Sequence, residues 1–317
     1  MVSIWSVFQS LDPFLEPAHI CQTFFILAAS AVLAVAATPR SARGLLTQYG
    51  ARSSSPPRKD GPGGNAAGDR FTDFISWVTS IGNVPHSWFI HFYVLSVTSS
   101  VFWAAQYFLH GSILDAVAQI QGTWSSSPSM TIHQVQLAWL LMALQGARRL
   151  SECLFVMRSS SSRMWVVHWL LGCAYYLCMG VAVWVEGSDA ILRSDRSSHL
   201  GWPSVKELIG LSSFLLAWSM QHRCHKHLSD LAKYSLPNRG MFRYLICPHY
   251  TCECLLYLSL AIVAAPEKQL FNKTLLCGSI FVATNLGVTA AGTRNWYAGK
   301  FGEEMIIDKW NMIPLIY

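Results

Sequence analysis

Seven stretches of this chain are apolar over close to the roughly 20 residues that a membrane-spanning helix needs. They lie near residues 19–38, 86–109, 132–157, 164–186, 205–221, 249–265 and 274–291. The spans near 205–221 and 249–265 are the shortest, and a tilted or partly re-entrant path is expected for them. Residues 39–70 break the pattern with Pro56-Pro57-Arg58-Lys59 and Gly61-Pro62-Gly63-Gly64. That composition cannot bury a core, so a disordered loop is expected. From Phe71 to Gly82 apolar and polar groups alternate at helical spacing, which predicts a short interfacial helix. The fold class these patterns imply is all-α, a polytopic membrane helical bundle with about seven transmembrane helices.

Composition agrees. The chain is 52% hydrophobic and 13% charged, against about 25% charged in a soluble domain, and its mean hydropathy is +0.32. The basic residues give the expected orientation. Eighteen of the 23 lysines and arginines fall on one set of span ends and loops, including Arg40, Arg58, Arg148, Arg223, Arg294 and Lys309. Five fall on the other set: Arg193, Arg196, Lys206, Lys268 and Lys273. The positive-inside bias makes the first set cytosolic, the N-terminal segment 1–18 lumenal and the C-terminus cytosolic, with the membrane domain over 19–317. The net charge of +6 then belongs to one-sided loops, and no nucleic-acid partner is expected. Residues 1–18 hold no Lys or Arg and no cleavage pattern, so a removable signal peptide is not expected.

Nine cysteines are scattered in or beside apolar stretches, unlike a secreted disulfide framework. Cys247-x-His249-x-x-Cys252-x-Cys254 has the residue types of a metal site. On a helix, however, Cys252 and Cys254 point about 200° apart, and no metal is expected. Asn272-Lys273-Thr274 is a glycosylation sequon close to the membrane on the lumenal side. Neither a dinucleotide-binding G-x-G-x-x-G nor a phosphate-binding G-x-x-x-x-G-K-[ST] is present.

Several polar groups sit where lipid makes them costly. Gln145, Arg148, Arg149 and Glu152 are spaced i, i+3, i+4, i+7 and share one helical face. They are either a snorkelling ion pair or a polar wall inside the bundle. Pro248 opens a helix on which His249 and Glu253 lie one turn apart. Asn285 interrupts the last apolar stretch and needs a hydrogen-bond partner, which an interhelical contact alone could supply. Gln221-His222-Arg223-Cys224-His225-Lys226-His227 closes the fifth span, as a site or as a basic patch for anionic lipid. Arg294, Asn295, Tyr297 and Lys300 follow the last span, where Trp296 and Tyr297 also suit an interfacial belt.

Together these segments resemble the steroid 5α-reductase family, and within it the polyprenol reductase branch of the dolichol pathway. The general features are Pro248-x-Tyr250-x-x-Glu253, Asn285, Trp296-Tyr297, Lys300-Phe301 and Ile313-Pro314-Leu315. Features of the branch are Val84-Pro85 with His91-Phe92-Tyr93, Arg148-Arg149 with Glu152-Cys153-Leu154-Phe155-Val156, Gln221 with Cys224-His225, and His249. The likeness covers about residues 80–317, and residues 160–317 would form the C-terminal reductase region with the cofactor motifs. Thr293 and Arg294 stand where family members usually carry a His, and the Glu–Tyr pair that grips a steroid ketone has no counterpart.

The resemblance implies an endoplasmic reticulum oxidoreductase that uses NADPH to reduce a carbon–carbon double bond of a long-chain isoprenoid. Because an isolated alkene offers no group to stabilise the charge that hydride brings, an α,β-unsaturated aldehyde, a polyprenal, is the expected substrate. Tyr93, His91 and Glu152 are the candidates at the aldehyde oxygen, with Tyr93 preferred. Cofactor binding is assigned to Gln221, His225, His249, Glu253, Asn285, Arg294, Tyr297 and Lys300, together with Arg148 and Arg149. The competing readings are a steroid or sterol double-bond reductase, an isoprenylcysteine methyltransferase-like enzyme, and a non-enzymatic transporter or scaffold.

Overall fold

A computed structural model of the protein describes residues 16–39, 43, 66–125, 128–157, 162–193, 203–232 and 235–317. All seven apolar stretches are helices: α1 (Pro17–Ala36), α3 (Ile90–Phe108), α5 (Ile132–Phe155), α6 (Val166–Val185), α8 (Val205–Asp230), α9 (Pro248–Val263) and α10 (Lys273–Phe301). Between them lie α2 (Ala66–Ser80), α4 (Ser112–Trp124), the single-turn α7 (Ser188–Arg193) and two short strands. Most of the loop expected over 39–70 lies outside the described residues, and α2 begins inside it, at Ala66.

Four of the helices are long and apolar enough to cross a membrane by themselves: α1, α3 with the turn before it, α6 and α10. The other three miss for identifiable reasons. At 16 residues, α9 spans about 24 Å, short of a hydrocarbon core of about 30 Å. α8 continues well past its apolar part, to Asp230. α5 carries the polar stripe, and its orientation decides what kind of helix it is. Gln145, Arg148, Arg149 and Glu152 are buried, whereas Leu140, Leu144 and Phe155 are exposed. A helix with its charges inside and Leu140, Leu144 and Phe155 outside suits an apolar surround better than water.

Sequence-local signals fix the helix ends. Thr131 with Gln134, and Ser204 with Glu207, form reciprocal capping boxes at the starts of α5 and α8. Pro248 occupies the first turn of α9. Asn272 caps α10 through the Leu275 amide at 2.9 Å. This Asn is fully buried, as is Thr274, whose hydroxyl donates to Glu186 at 2.6 Å. The sequon is thus spent on a helix cap and is closed to modification in the folded chain.

Helix α9 lies at the centre, packed on α8, α10 and α5, while α1 packs on α10 and α6, and α3 on α5 and α6. Gly172 lets α6 come close to α3: a Cβ there would stand 2.5 Å from the ring of Phe92. Strand β1 (Asn83–Pro85) pairs antiparallel with β2 (Arg163–Trp165), Val84 opposite Met164. The Val84-Pro85 pair that supports the family likeness is therefore the clasp that joins the entry of α3 to that of α6.

After α10 the chain turns at Gly302, whose φ of +97° few other residues adopt, and folds back on the start of α9. Ile246 and Cys247 donate to the carbonyls of Trp310 and Asn311 at 2.8 and 2.9 Å. The Lys309 amine donates to the carbonyls of Phe242 at 2.8 Å and Pro237 at 3.3 Å, and burial lowers its basicity below that of an ordinary lysine.

Candidate active site

The helices border a partly open cavity of about 390 Å³. Its wall is largely apolar, from Ala31, Val32 and Val35 of α1, Phe89 and Phe92 at the start of α3, Leu171 of α6, and Phe281, Val282, Leu286 and Val288 of α10. Met164 and Trp165 of β2 line it as well. A polar patch interrupts this wall where α3, α5, α8 and α9 meet, formed by Tyr93, Arg149, Gln221, His225, His249 and Glu253. Asn285 faces the cavity from α10.

The patch is cross-linked. Arg149 donates to the Tyr93 hydroxyl through Nη2 at 2.7 Å and Nε at 3.2 Å, and to the carboxylate of Glu152. Its Nη1 also stands 3.0 Å from Nδ1 of His225. Glu152 Oε2 is 2.7 Å from that same nitrogen, and Oε1 is 2.8 Å from Nδ1 of His222. Beside this group, Gln221 donates to the Glu253 carboxylate and to the His249 carbonyl at 3.3 Å. Gln145 donates to Gln221 at 3.1 Å and to Glu253 at 3.3 Å. Nδ1 of His249 is buried and has no hydrogen-bond partner among the described residues, which marks a place for a ligand polar atom.

The sequence candidates divide into three groups. Tyr93, Arg149, Gln221, His225, His249, Glu253 and Asn285 come together on the cavity wall. Glu152 and Arg148 stand behind it: Arg148 donates to Gln145 at 2.7 Å, to Gln221 and to the Trp218 carbonyl, so it holds the patch in place from outside. The remaining four are elsewhere. His91 packs against Trp88 and Trp169. Arg294 spends its guanidinium on the tail carbonyls of Lys309, Ile306 (3.2 Å) and Ile307 (3.5 Å). Tyr297 packs on Trp296 and Phe301, and Lys300 is exposed at the end of α10. These departures share a cause. Spacing along one helix reports which residues share a face, but not which face a neighbouring helix covers.

The sequence reading missed His168, Tyr175 and Tyr176 of α6, Tyr257 of α9 and Thr289 of α10, which also line the cavity. The run Cys173-Ala174-Tyr175-Tyr176 inside an apolar stretch was the available signal, because a paired Tyr in mid-span carries two hydroxyls into lipid.

Residues 162–317 match the sequence model of the family described as 3-oxo-5-alpha-steroid 4-dehydrogenase. A polyprenal reductase of Xenopus laevis is 28% identical over 278 residues, which cover 80% of this chain and 83% of that protein. Polyprenal reductase 2 of Oryza sativa subsp. japonica is 26% identical, covering 97% of this chain and 98% of the relative. The polyprenal reductase of Saccharomyces cerevisiae is 30% identical over 185 residues, 57% of this chain and 64% of that protein. This chain belongs to the steroid 5α-reductase family. The family match covers β2 and everything after it, so α6, α8, α9 and α10 are family elements. The relatives from Xenopus and rice extend the likeness into the N-terminal half, where Tyr93, Arg149 and Glu152 lie.

Proposed function

We propose that this chain is a multi-pass oxidoreductase of the endoplasmic reticulum membrane that reduces the α-isoprene double bond of a polyprenal with NADPH, on the route to dolichol and so to N-glycosylation. The observation that carries this reading is the Tyr93–Arg149 contact at the edge of an otherwise greasy cavity. A phenol that accepts two guanidinium N–H groups keeps its own proton free to donate. Tyr93 can then donate to the aldehyde oxygen, on which negative charge accumulates as the conjugated double bond is reduced, and the cation behind it strengthens that bond. The hydrophobic wall receives the first isoprene units and keeps water out.

The buried, unpartnered Nδ1 of His249 and the amides and carboxylate beside it fit a nicotinamide cofactor. His249, Gln221, Glu253 and Asn285 would hold it. When bound, it supplies a hydride to the β-carbon. Arg149 serves mainly to set Tyr93, and Arg148 to set Gln221. The relatives named polyprenal reductases support the substrate class, and the basic asymmetry supports a lumenal N-terminus and cytosolic C-terminus.

Purified protein with NADPH should be offered polyprenal, polyprenol and a 3-keto-4-ene steroid in parallel. Oxidation of NADPH with polyprenal alone is the expected result. Turnover of the steroid with polyprenal inert would replace this reading with a steroid reductase.

A further inference from the structure

The reduction leaves an enolate whose α-carbon requires one proton, and behind the polar patch of the cavity wall lies the buried carboxylate of Glu152. We propose that His222, Glu152 and His225 form the path that brings this proton from solvent; the inference rests on the reductase reading above. His222 and His225 lie one turn apart on α8, and Glu152 reaches between them from α5. Each carboxylate oxygen takes one imidazole, Oε1 at 2.8 Å from Nδ1 of His222 and Oε2 at 2.7 Å from Nδ1 of His225. The side-chain exposures run from 45% for His222 through 2% for Glu152 to 12% for His225, and His225 lines the cavity. The three groups thus connect water to the site through a buried carboxylate.

Placement of Arg149 makes the inner end able to change state. Its Nη1 lies 3.0 Å from the same Nδ1 of His225 that faces Glu152. With a proton on Nδ1, His225 donates to the carboxylate. Without one, it accepts from the guanidinium. Either tautomer is satisfied without movement, which a purely structural histidine does not need. Other charged or titratable groups around the path include Arg148, 3.8 Å from Glu152, Cys153 beside it on α5, and Tyr93, His249 and Glu253 on the cavity side.

The transfer balances from an ionised Glu152. His225 gives the proton on Nε2 to the α-carbon. Glu152 takes a proton from Nδ1 of His222 on Oε1, turns its carboxyl group, and passes that proton to Nδ1 of His225. His222 takes one from water at Nε2. Rotation of the two rings returns them to their starting state with Glu152 again a carboxylate, and one solvent proton is consumed for each double bond reduced.

The test compares wild-type protein with His222→Ala and His222→Asn, using NADPH and polyprenal. The expected result is a fall in kcat of roughly ten- to a hundredfold, up to the lower edge of the range for acid–base groups, with NADPH affinity unchanged. The solvent deuterium isotope effect should rise, and imidazole added to the buffer should restore His222→Ala. Wild-type kcat and isotope effect in both variants would overturn the path. So would a loss that imidazole does not relieve at an unchanged isotope effect, which would make His222 a packing residue. An inactive wild-type protein would remove the reductase reading itself, and the path with it.

Discussion

Arg149 holds two of its nitrogens on the hydroxyl of Tyr93, at 2.7 and 3.2 Å, and its guanidinium carbon lies 4.7 Å from the centre of the same ring. The side chain is wrapped around the phenol, so the position of that oxygen is set by α5 as much as by α3. Tyr93→Phe should therefore leave the fold intact and remove the donor. Turnover of polyprenal should fall by about 10²–10³-fold, as for the loss of one oxyanion donor, with NADPH affinity unchanged by titration. Near-normal turnover would move the donor role to another cavity residue.

The ion pair behind Tyr93 should matter more to stability when halved than when removed. Arg149→Met leaves the buried Glu152 short of its cation and should cost about 3–5 kcal/mol, read as loss of thermal stability in detergent. Arg149→Met with Glu152→Leu should recover much of that stability and none of the activity. Equal destabilisation in the single and double variants would contradict the pairing.

Cofactor affinity should separate the candidates by their place. His249→Ala and Asn285→Ala each remove a polar group from the cavity wall, and each should weaken NADPH about ten- to a hundredfold, or about 1.5–3 kcal/mol. Arg294→Ala should instead loosen the C-terminal tail it staples, lowering thermal stability with little change in NADPH affinity. Wild-type affinity in the first two, or a large affinity loss in the third, would redraw the site.

Much of this was legible in the sequence. Every apolar stretch became a helix, because span length and Pro or Asn/Ser/Thr caps are local properties. The four-residue stripe on α5 was legible as one polar face because i, i+3, i+4, i+7 spacing survives any packing; whether it snorkelled or faced into the bundle was not. What was not legible depended on partners. Arg294 reads as a cofactor ligand in sequence, and its guanidinium is taken up by tail carbonyls that reach it only after the turn at Gly302. Glu152 reads in sequence as one of three candidates at the aldehyde oxygen, with Tyr93 preferred, and its place one residue behind the wall, with His222 and His225 on its two oxygens, depends on neighbouring helices. The amphipathic α4 went unread, as it lies between apolar stretches and is shorter than a span.

The buried sequon yields a separate outcome. Asn272→Gln should cost about 1 kcal/mol through loss of the α10 cap. It should not change electrophoretic mobility with or without glycosidase. A glycosidase-sensitive shift in wild-type protein would show that Asn272 is accessible during synthesis, before the cap forms.

The most direct test of the central claim follows the label. Purified protein, NADPH carrying deuterium at the transferred position, and polyprenal should give a saturated α-isprene aldehyde with deuterium on the β-carbon. Polyprenol should stay unreacted unless an alcohol dehydrogenase is added. Direct reduction of polyprenol with no aldehyde formed, or label appearing at any other carbon, would contradict the account.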